Sequence, residues 1–322
     1  MIVVVTGGLG FIGSHVVENL LMRDFKVRII DRRLDSNLFI DKNNVELIRG
    51  DIRNPDFTYE AIKGADYVIH MAALINVDQS IDAPRAFWDN NVYGTFNLIE
   101  SIRREPKIKK IIYMSTCEIY GNIVKNKANE KFPDPVPRSP YAASKFAAER
   151  YCMAYYLTFG KPEIVIIRGF NTFGPRQRSG ARGAVIPIFI NRVLQRKPPL
   201  IFGDGKQTRD FVYVVDMAEG IVRALEKDGI GGEVINLATG KEHTIQEVAT
   251  KIIKYCDIDD VVPKFVAPRP GELRRSVGDW SKAKKLLNWN PKHSFDEGLM
   301  NTIEYIKKIY TDNLNHRDEF IN

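Results

Sequence analysis

The stretch Thr6-Gly7-Gly8-Leu9-Gly10-Phe11-Ile12-Gly13-Ser14-His15 constrains this chain more than any other. Before it, Ile2–Val5 is an uncharged run of β-branched residues. After it, Val16–Met22 is apolar at helical spacing. A buried strand therefore feeds a glycine turn, and the turn opens a helix. That context separates the pattern from an ordinary Gly-rich turn. Gly7 allows the tight turn, and Gly10 keeps a Cβ out of the path of an approaching diphosphate. Gly13 lets the helix pack close on the strand. The diphosphate would rest on the free N–H groups of the helix start, where Phe11 and Ile12 form the first turn.

With 322 residues the chain can bury a sizeable core, as one large domain or two lobes. Its 44% hydrophobic and 27% charged residues are ordinary for a soluble globular enzyme. No apolar run is long enough for a membrane span, and the start shows no secretory signal. The cysteines, Cys117, Cys152 and Cys256, have no CxxC spacing, so a reducing cytoplasm is expected and a zinc site is not. The net charge of +7 is spread along the chain and fits an anionic ligand. No stacking-aromatic motif accompanies it, so nucleic acid is not expected. Dense basic stretches such as Arg103–Lys110 read as solvated helix faces or ends.

Lys26–Ile30 reads as a second strand ending in Asp31, a carboxylate placed to accept the ribose hydroxyls of NAD and repel the extra phosphate of NADP. Arg32 and Arg33 pull the other way. Val45–Arg49 is a third strand. Asp51 and Ile52 follow it, and Asp51 suits either an adenine amino group or a helix or turn cap. Tyr67–His70 is a fourth strand whose end, Met71-Ala72-Ala73, leaves room for a cofactor. His70 itself reads as a packed residue. Pro84–Arg104 is a long helix, Ile111–Met114 a fifth strand, Pro133–Pro140 a loop, and a helix runs from Tyr141 to about Gly160. Ile164–Ile167 is a sixth strand. This alternation predicts an α/β fold, a Rossmann-type doubly wound parallel sheet. Residues 1–170 form the nucleotide-binding domain, and 171–322 a smaller substrate lobe partly woven back onto the sheet. In the second half Asn171–Arg176 reads as a turn, and Thr311–Asn322 as a fraying end.

Tyr141 and Lys145 stand four apart at a helix start and share one face. A lysine there would lower the phenol from its pKa of about 10 toward neutrality, making it a usable acid/base. Thr116, at the end of the fifth strand, can hydrogen-bond the same substrate hydroxyl. Phenol, ammonium and hydroxyl beside a nicotinamide are what hydride removal from an alcohol needs.

These residues resemble the extended short-chain dehydrogenase/reductases of the nucleotide-sugar epimerase/dehydratase family. The matching stretches are Thr6–Ser14, Asp31, Asp51-Ile52, His70–Ala73, Asn91–Thr95, Ser115–Gly121, Tyr141–Lys145, Arg168–Asn171, Thr208–Phe211 and Arg269–Glu272. The resemblance implies NAD held by Gly7, Gly10, Gly13, Asp31 and Asp51, with Asn91 orienting groups near the nicotinamide. It implies Thr116, Tyr141 and Lys145 as the catalytic triad. A nucleoside-diphosphate sugar would be bound by Asn171, Arg209, Arg269 and Glu272, with Val185 at the start of a helix flanking its base. Solvated surface charge is the alternative for the arginines. It also implies a homodimer through the helices near 84–104 and 141–160.

Such enzymes first oxidise the sugar at C4, which acidifies the C5 proton. A 4-epimerase ignores that proton. A 4,6-dehydratase removes it with a base, and Glu118, two residues after Thr116, is such a carboxylate. The resemblance places Asp before that Glu in thymidine-diphosphate-glucose dehydratases, where this chain has Cys117, either a proton donor or a packing residue. The reading therefore leans to a 4,6-dehydratase over a 4-epimerase. A non-catalytic NAD-binding or RNA-binding relative ranks lower, because such relatives lose the Tyr or Lys that this chain keeps.

Overall fold

The computed structural model describes residues 1–33, 44–132, 135–180, 183–269 and 271–318. Pro133 and Asp134 of the expected loop lie outside the described residues, as does Pro270 of the Arg269–Glu272 stretch.

The strands of the first half are β1 (Ile2–Thr6), β2 (Lys26–Asp31), β3 (Val45–Arg49), β4 (Tyr67–His70), β5 (Lys110–Thr116) and β6 (Glu163–Gly169). Short ones follow: β7 (Asn171–Phe173), β8 (Leu200–Phe202), β9 (Thr208–Arg209), β10 (Phe211–Tyr213), β11 (Val234–Leu237), β12 (His243–Thr244), β13 (Lys264–Val266) and β14 (Arg275–Ser276). The helices are α1 (Phe11–Leu21), α2 (Pro55–Ile62), α3 (Val77–Asp82), α4 (Pro84–Phe87), α5 (Gly94–Arg103), α6 (Pro140–Phe159), α7 (Val185–Leu194), α8 (Val214–Glu226), α9 (Ile245–Cys256), α10 (Ser281–Leu287) and α11 (Phe295–Asp318).

Seven parallel strands make the central sheet, in the order β11-β6-β5-β4-β1-β2-β3. Its seventh strand, β11, comes from the second half of the chain. Alternate residues of each strand face opposite layers. Val3 and Val5 face the layer that includes Val16 and Leu20 of α1 and Met217 and Ile221 of α8. Val4 faces Leu98 and Ile102 of α5, with Ala148 and Cys152 of α6. The order turns back between β1 and β4, so a crevice opens beyond Thr6 and His70, where doubly wound sheets bind ligands. A separate core of α7, α9 and α11 with β8 and β10 builds the rest of the second half.

Four sequence expectations are corrected. The helix over 84–104 is interrupted by a π turn at Trp88–Tyr93 between α4 and α5. Asn171–Phe173 is a strand rather than a turn, because β10 supplies a parallel partner in register Asn171 to Phe211. The Thr311 end does not begin to fray at once, since α11 continues to Asp318; residues 319–322 lie outside the described residues. Lys110 is not solvated: it is 2% exposed and donates Nζ to the carbonyls of Leu225 and Lys227, closing the C-terminus of α8.

Candidate active site

The glycine turn stands on β1. Gly7 has φ +72°, and a Cβ there would lie 2.9 Å from the Ala72 backbone. A Cβ on Gly13 would lie 2.3 Å from the Gly7 carbonyl, and one on Gly10 3.0 Å from it. Gly10 is the N-cap of α1 and brings no side-chain cap, so the first-turn N–H groups, at Phe11 and Ile12, are left for a ligand. Asp31 accepts the main-chain N–H groups of Leu9 at 3.3 Å and Arg33 at 3.2 Å, and keeps lone pairs free for hydroxyl donors. These features fit an adenine dinucleotide lying from α1 toward Ala72 and Ala73.

Arg32 points to Asp51 at 3.9 Å. Asp51 is held mainly by Arg53, whose Nη2 approaches to 2.7 Å, and it also accepts the Arg53 main-chain N–H at 2.9 Å. Asp51 therefore closes a turn, while the cap of α2 is Asn54. Burial works to raise its pKa, but the bonds from Arg53 prevail and hold the carboxyl below its ordinary range. Ile52 is buried against Gly94 at the start of α5.

The catalytic candidates come together where β5 ends and α6 begins. Ser139 caps α6 by accepting the Ala142 N–H at 3.1 Å, and Pro140 fills the first helical position. This start puts Tyr141 and Lys145 one turn apart. The Tyr141 phenol hydrogen-bonds the Thr116 side chain. Thr116 Oγ1 also accepts the Glu118 N–H at 3.2 Å, which starts the short 3₁₀ turn Cys117–Tyr120. Asn91, on the π turn, is 1% exposed. It donates Nδ2 to the Leu74 carbonyl and to Ser144 Oγ, each at 2.9 Å, and accepts the Leu74 N–H at 2.8 Å. It thus braces the segment after β4 against α6.

The expected lowering of the tyrosine is corrected. Burial pushes the Tyr141 phenol above its ordinary range; the Thr116 bond opposes this, and the Glu118 and Cys117 charges add to it. Lys145 is itself buried, with Nζ 4.4 Å from the centre of the Tyr113 ring. Desolvation lowers its pKa to about 8, against the field of Cys152 and Glu149. Spacing along a helix shows that two residues share a face; it does not show how dry that face is.

Glu118 is half-buried, and its carboxylate has no hydrogen-bond partner among the described residues. Burial raises its pKa, and the charge of Arg209 opposes the rise. Cys117 is 3% exposed, takes a long contact from Ser276 Oγ at 3.9 Å and is pushed up by burial. Of its two readings, packing is the one this environment supports: a dry thiol facing Ser276 is a poor proton donor.

On the other wall, Arg209 donates to the carbonyls of Thr208 at 2.9 Å and Leu273 at 2.8 Å and lies 3.7 Å from Glu272. Arg269 lies over the Phe202 ring at 3.9 Å and reaches Asp78 of α3 at 3.7 Å. That contact joins the wall to α3 in the first half of the chain. Asn171 begins β7, and its buried Oδ1 has no partner among the described residues. Val185 is the first residue of α7, after the uncapped Ala184. Among the described residues no group of three or more His, Cys, Asp or Glu side chains could hold a metal ion.

Sequence reasoning missed the support behind the Cys117–Tyr120 turn. Glu149 is fully buried and accepts from Ser115 Oγ at 2.6 Å and from Arg168 Nη2 at 2.6 Å. Arg168 also donates to Tyr120 Oη at 2.9 Å, and Tyr120 donates to Asn236 Oδ1 at 2.7 Å. The signal was present, since Glu149 follows Lys145 by one further helical turn. Phe202 and Asp78, the partners of Arg269, carried no such signal.

The sequence matches the family described as GDP-mannose 4,6 dehydratase over residues 4–302. A UDP-N-acetyl-alpha-D-glucosaminuronate decarboxylase of Bacillus cytotoxicus is 32% identical, covering 96% of this chain and 98% of the relative. A UDP-N-acetylglucosamine 4-epimerase of Methanobrevibacter ruminantium, solved with UDP-N-acetylmuramic acid, has a TM-score of 0.88 and 36% identity, covering 95% of this chain and 98% of that one. The dTDP-glucose 4,6-dehydratase of Bacillus anthracis, solved with NAD, has a TM-score of 0.85 and 31% identity, covering 96% and 97%. Glycine turn, parallel sheet and tyrosine–lysine helix agree with these matches: the chain belongs to the NAD-dependent nucleotide-sugar epimerase/dehydratase family of extended short-chain dehydrogenase/reductases.

Proposed function

We propose that the chain is a nucleoside-diphosphate-hexose 4,6-dehydratase that uses NAD. The observation that carries this reading is Glu118, an unpartnered, half-buried carboxylate with a raised pKa, beside Tyr141 and Thr116. NAD, held by the glycine turn and Asp31, would supply the acceptor and later the donor of a hydride at the sugar. Tyr141 would act as a phenolate, a form that the positive nicotinamide of bound NAD would favour against the burial that raises its pKa. It would take the proton of the C4 hydroxyl, oriented by Thr116, and release it to solvent. Lys145 is the cation on the same helix face and keeps its charge below its pKa of about 8. The resulting C4 ketone acidifies the C5 proton. Glu118 would remove it, and the same carboxyl, now protonated, would return the proton to the C6 hydroxyl as the C6–O bond breaks and water leaves. The hydride would then return to C6 of the resulting enone while a solvent proton adds at C5. One carboxyl thus serves as base and acid, leaving no task for Cys117.

Arg209, Arg269, Asn171 and Glu272 would bind the nucleotide-sugar diphosphate and its surroundings, with Val185 toward the base. Arginines suit phosphate through charge-assisted hydrogen bonds. A homodimer is proposed as well: Trp88, Phe96 and Leu157 lie exposed on the helices at 84–103 and 140–159, which favours a covered face there.

The 36% identity to an epimerase favours a second reading, a nucleotide-sugar 4-epimerase. Incubation with a panel of nucleoside-diphosphate hexoses followed by mass spectrometry separates the two. The dehydratase releases a product lighter by one water, and Glu118→Gln oxidises C4 without losing water. An unchanged mass with inverted C4 overturns the proposal.

A further inference from the structure

His70, the last residue of β4, has no task in the proposed reaction. Its ring is 2% exposed and is engaged at both nitrogens. Thr6 Oγ1 lies 2.7 Å from Nδ1, and Thr95 Oγ1 lies 2.9 Å from Nε2. The neighbours assign the protons. Thr95 donates its hydroxyl hydrogen to the Asn91 carbonyl at 2.6 Å, so its oxygen can only accept from Nε2. Thr6 Oγ1 accepts the main-chain N–H of Ala72 at 3.2 Å and shares that of Met71, also at 3.2 Å, with the Thr6 carbonyl at 3.1 Å, so its own hydrogen goes to Nδ1. The neutral Nε2–H tautomer meets both demands. A proton on Nδ1 would face a hydroxyl oxygen that already accepts the Ala72 N–H and part of the Met71 N–H. Burial, helped by the charge of Lys145, lowers the pKa of the ring to about 3, so it stays neutral.

From Thr95 the chain of bonds runs on. Asn91 Nδ2 donates to Ser144 Oγ at 2.9 Å, and Ser144 donates to the Tyr141 carbonyl at 2.7 Å. Beside it, the Tyr113 ring lies 5.6 Å from the His70 ring, and its hydroxyl donates to the Lys145 carbonyl at 3.3 Å. One end of this chain is Thr6, the residue on which the glycine turn stands. The other end is the backbone of the tyrosine–lysine helix turn.

We propose that His70, as its Nε2–H tautomer, is a positioning residue that sets the glycine turn in register with Tyr141 and Lys145 through Thr95, Asn91 and Ser144. The proposal rests on reading Tyr141 and Lys145 as the reacting pair. The π turn is where such a brace acts: it breaks the regular helical ladder, and the Thr95 hydroxyl meets the Asn91 carbonyl there. Reactions of this kind tolerate little displacement, since about 1 Å of misplacement can cost about a hundredfold in rate.

The test uses the NAD-bound protein and two substitutions at one position. Thr95→Val keeps the shape but removes both bonds of the hydroxyl; Thr95→Ser restores them. The expected result is a kcat lowered about tenfold or more in Thr95→Val, with KM for the sugar nucleotide within about twofold. Thr95→Ser should stay within about twofold of wild type in both. Nitrogen-15 spectra of the wild-type imidazoles supply a measurement independent of turnover and of the variants' folding. His70 should show a single Nε2–H form from about pH 5 to pH 8. A wild-type kcat in folded Thr95→Val, or a proton on His70 Nδ1 in wild type, overturns the proposal. If the wild type turns over no sugar nucleotide, the functional reading fails, and the spectrum alone judges the tautomer.

Discussion

Arg168→Met should be among the most damaging single substitutions in this protein. The side chain it removes makes two bonds to Glu149, at 3.2 and 2.6 Å, and one to Tyr120 at 2.9 Å. Glu149 stays fully buried and keeps Ser115 and the half-exposed Arg150. Removing one partner of a buried pair costs about 3–5 kcal/mol, because a charge remains in a dry site. Glu149→Leu should cost a similar amount by stranding Arg168. The double substitution should cost less than the two singles together, by about 2 kcal/mol or more, since neither charge remains. Urea denaturation of all four proteins with NAD removed closes this cycle. The pH dependence adds a check. In wild type, burial works to raise the Glu149 pKa, but the Arg168 bonds prevail and hold it below 4.5. This carboxylate therefore stabilises the fold above about pH 4.5 and loses that effect as pH falls through its lowered folded value. Without Arg168, burial is less opposed, and the folded pKa should rise above the unfolded one. The penalty should then be full near neutral pH and shrink as pH falls toward 4.5. A cost below about 1 kcal/mol, or a double variant equal to the sum of the singles, would refute the argument.

Gly13→Ala places a Cβ 2.3 Å from the Gly7 carbonyl, so α1 must shift off the turn. Overpacking of this kind costs about 1–3 kcal/mol, and NAD should be lost on gel filtration; full retention of NAD with an unchanged melting temperature would count against the turn as its seat. Lys145→Met should stabilise the NAD-free protein at pH 7, because wild type buries a cation whose pKa falls from 10.5 to about 8. The gain, on the order of 3 kcal/mol, should shrink as pH rises from about 8 to 10.5, where the lysine is neutral in both states. Arg269→Lys keeps the charge but loses the contact with the Phe202 ring, so KM for a sugar nucleotide should rise about tenfold with kcat little changed. An unchanged KM would remove Arg269 from the substrate wall.

The part of the fold that was legible is the part whose signals are local. Ile2–Val5 before the glycine turn and the alternation of apolar strands with helices carry the parallel sheet, and Tyr141 with Lys145 carries the shared helix face. What was not legible depends on partners distant in the chain. β7 is three residues long and forms only because β10 lies beside it. The π turn at Trp88–Tyr93 was hidden by the apolar spacing of Phe87, Trp88, Val92 and Phe96, which reads as one continuous helix. Burial decided the chemistry that spacing could not. It raises the Tyr141 phenol, dries the Cys117 thiol and hides Lys110 behind α8. The Glu149–Arg168 pair shows both sides of this: Glu149 stood at helical spacing from Lys145, but only the packed sheet makes it a buried anchor for the turn that carries Glu118.

The central claim is that Glu118 moves the C5 proton, and one reaction in deuterated water tests it directly. The protein is incubated with the nucleoside-diphosphate hexose it turns over, and the product is weighed and its C4 configuration determined. The account predicts a product that has lost one water and carries deuterium at C5, and Glu118→Gln should abolish that loss. A substrate recovered at unchanged mass, inverted at C4 and carrying no deuterium at C5, would contradict it.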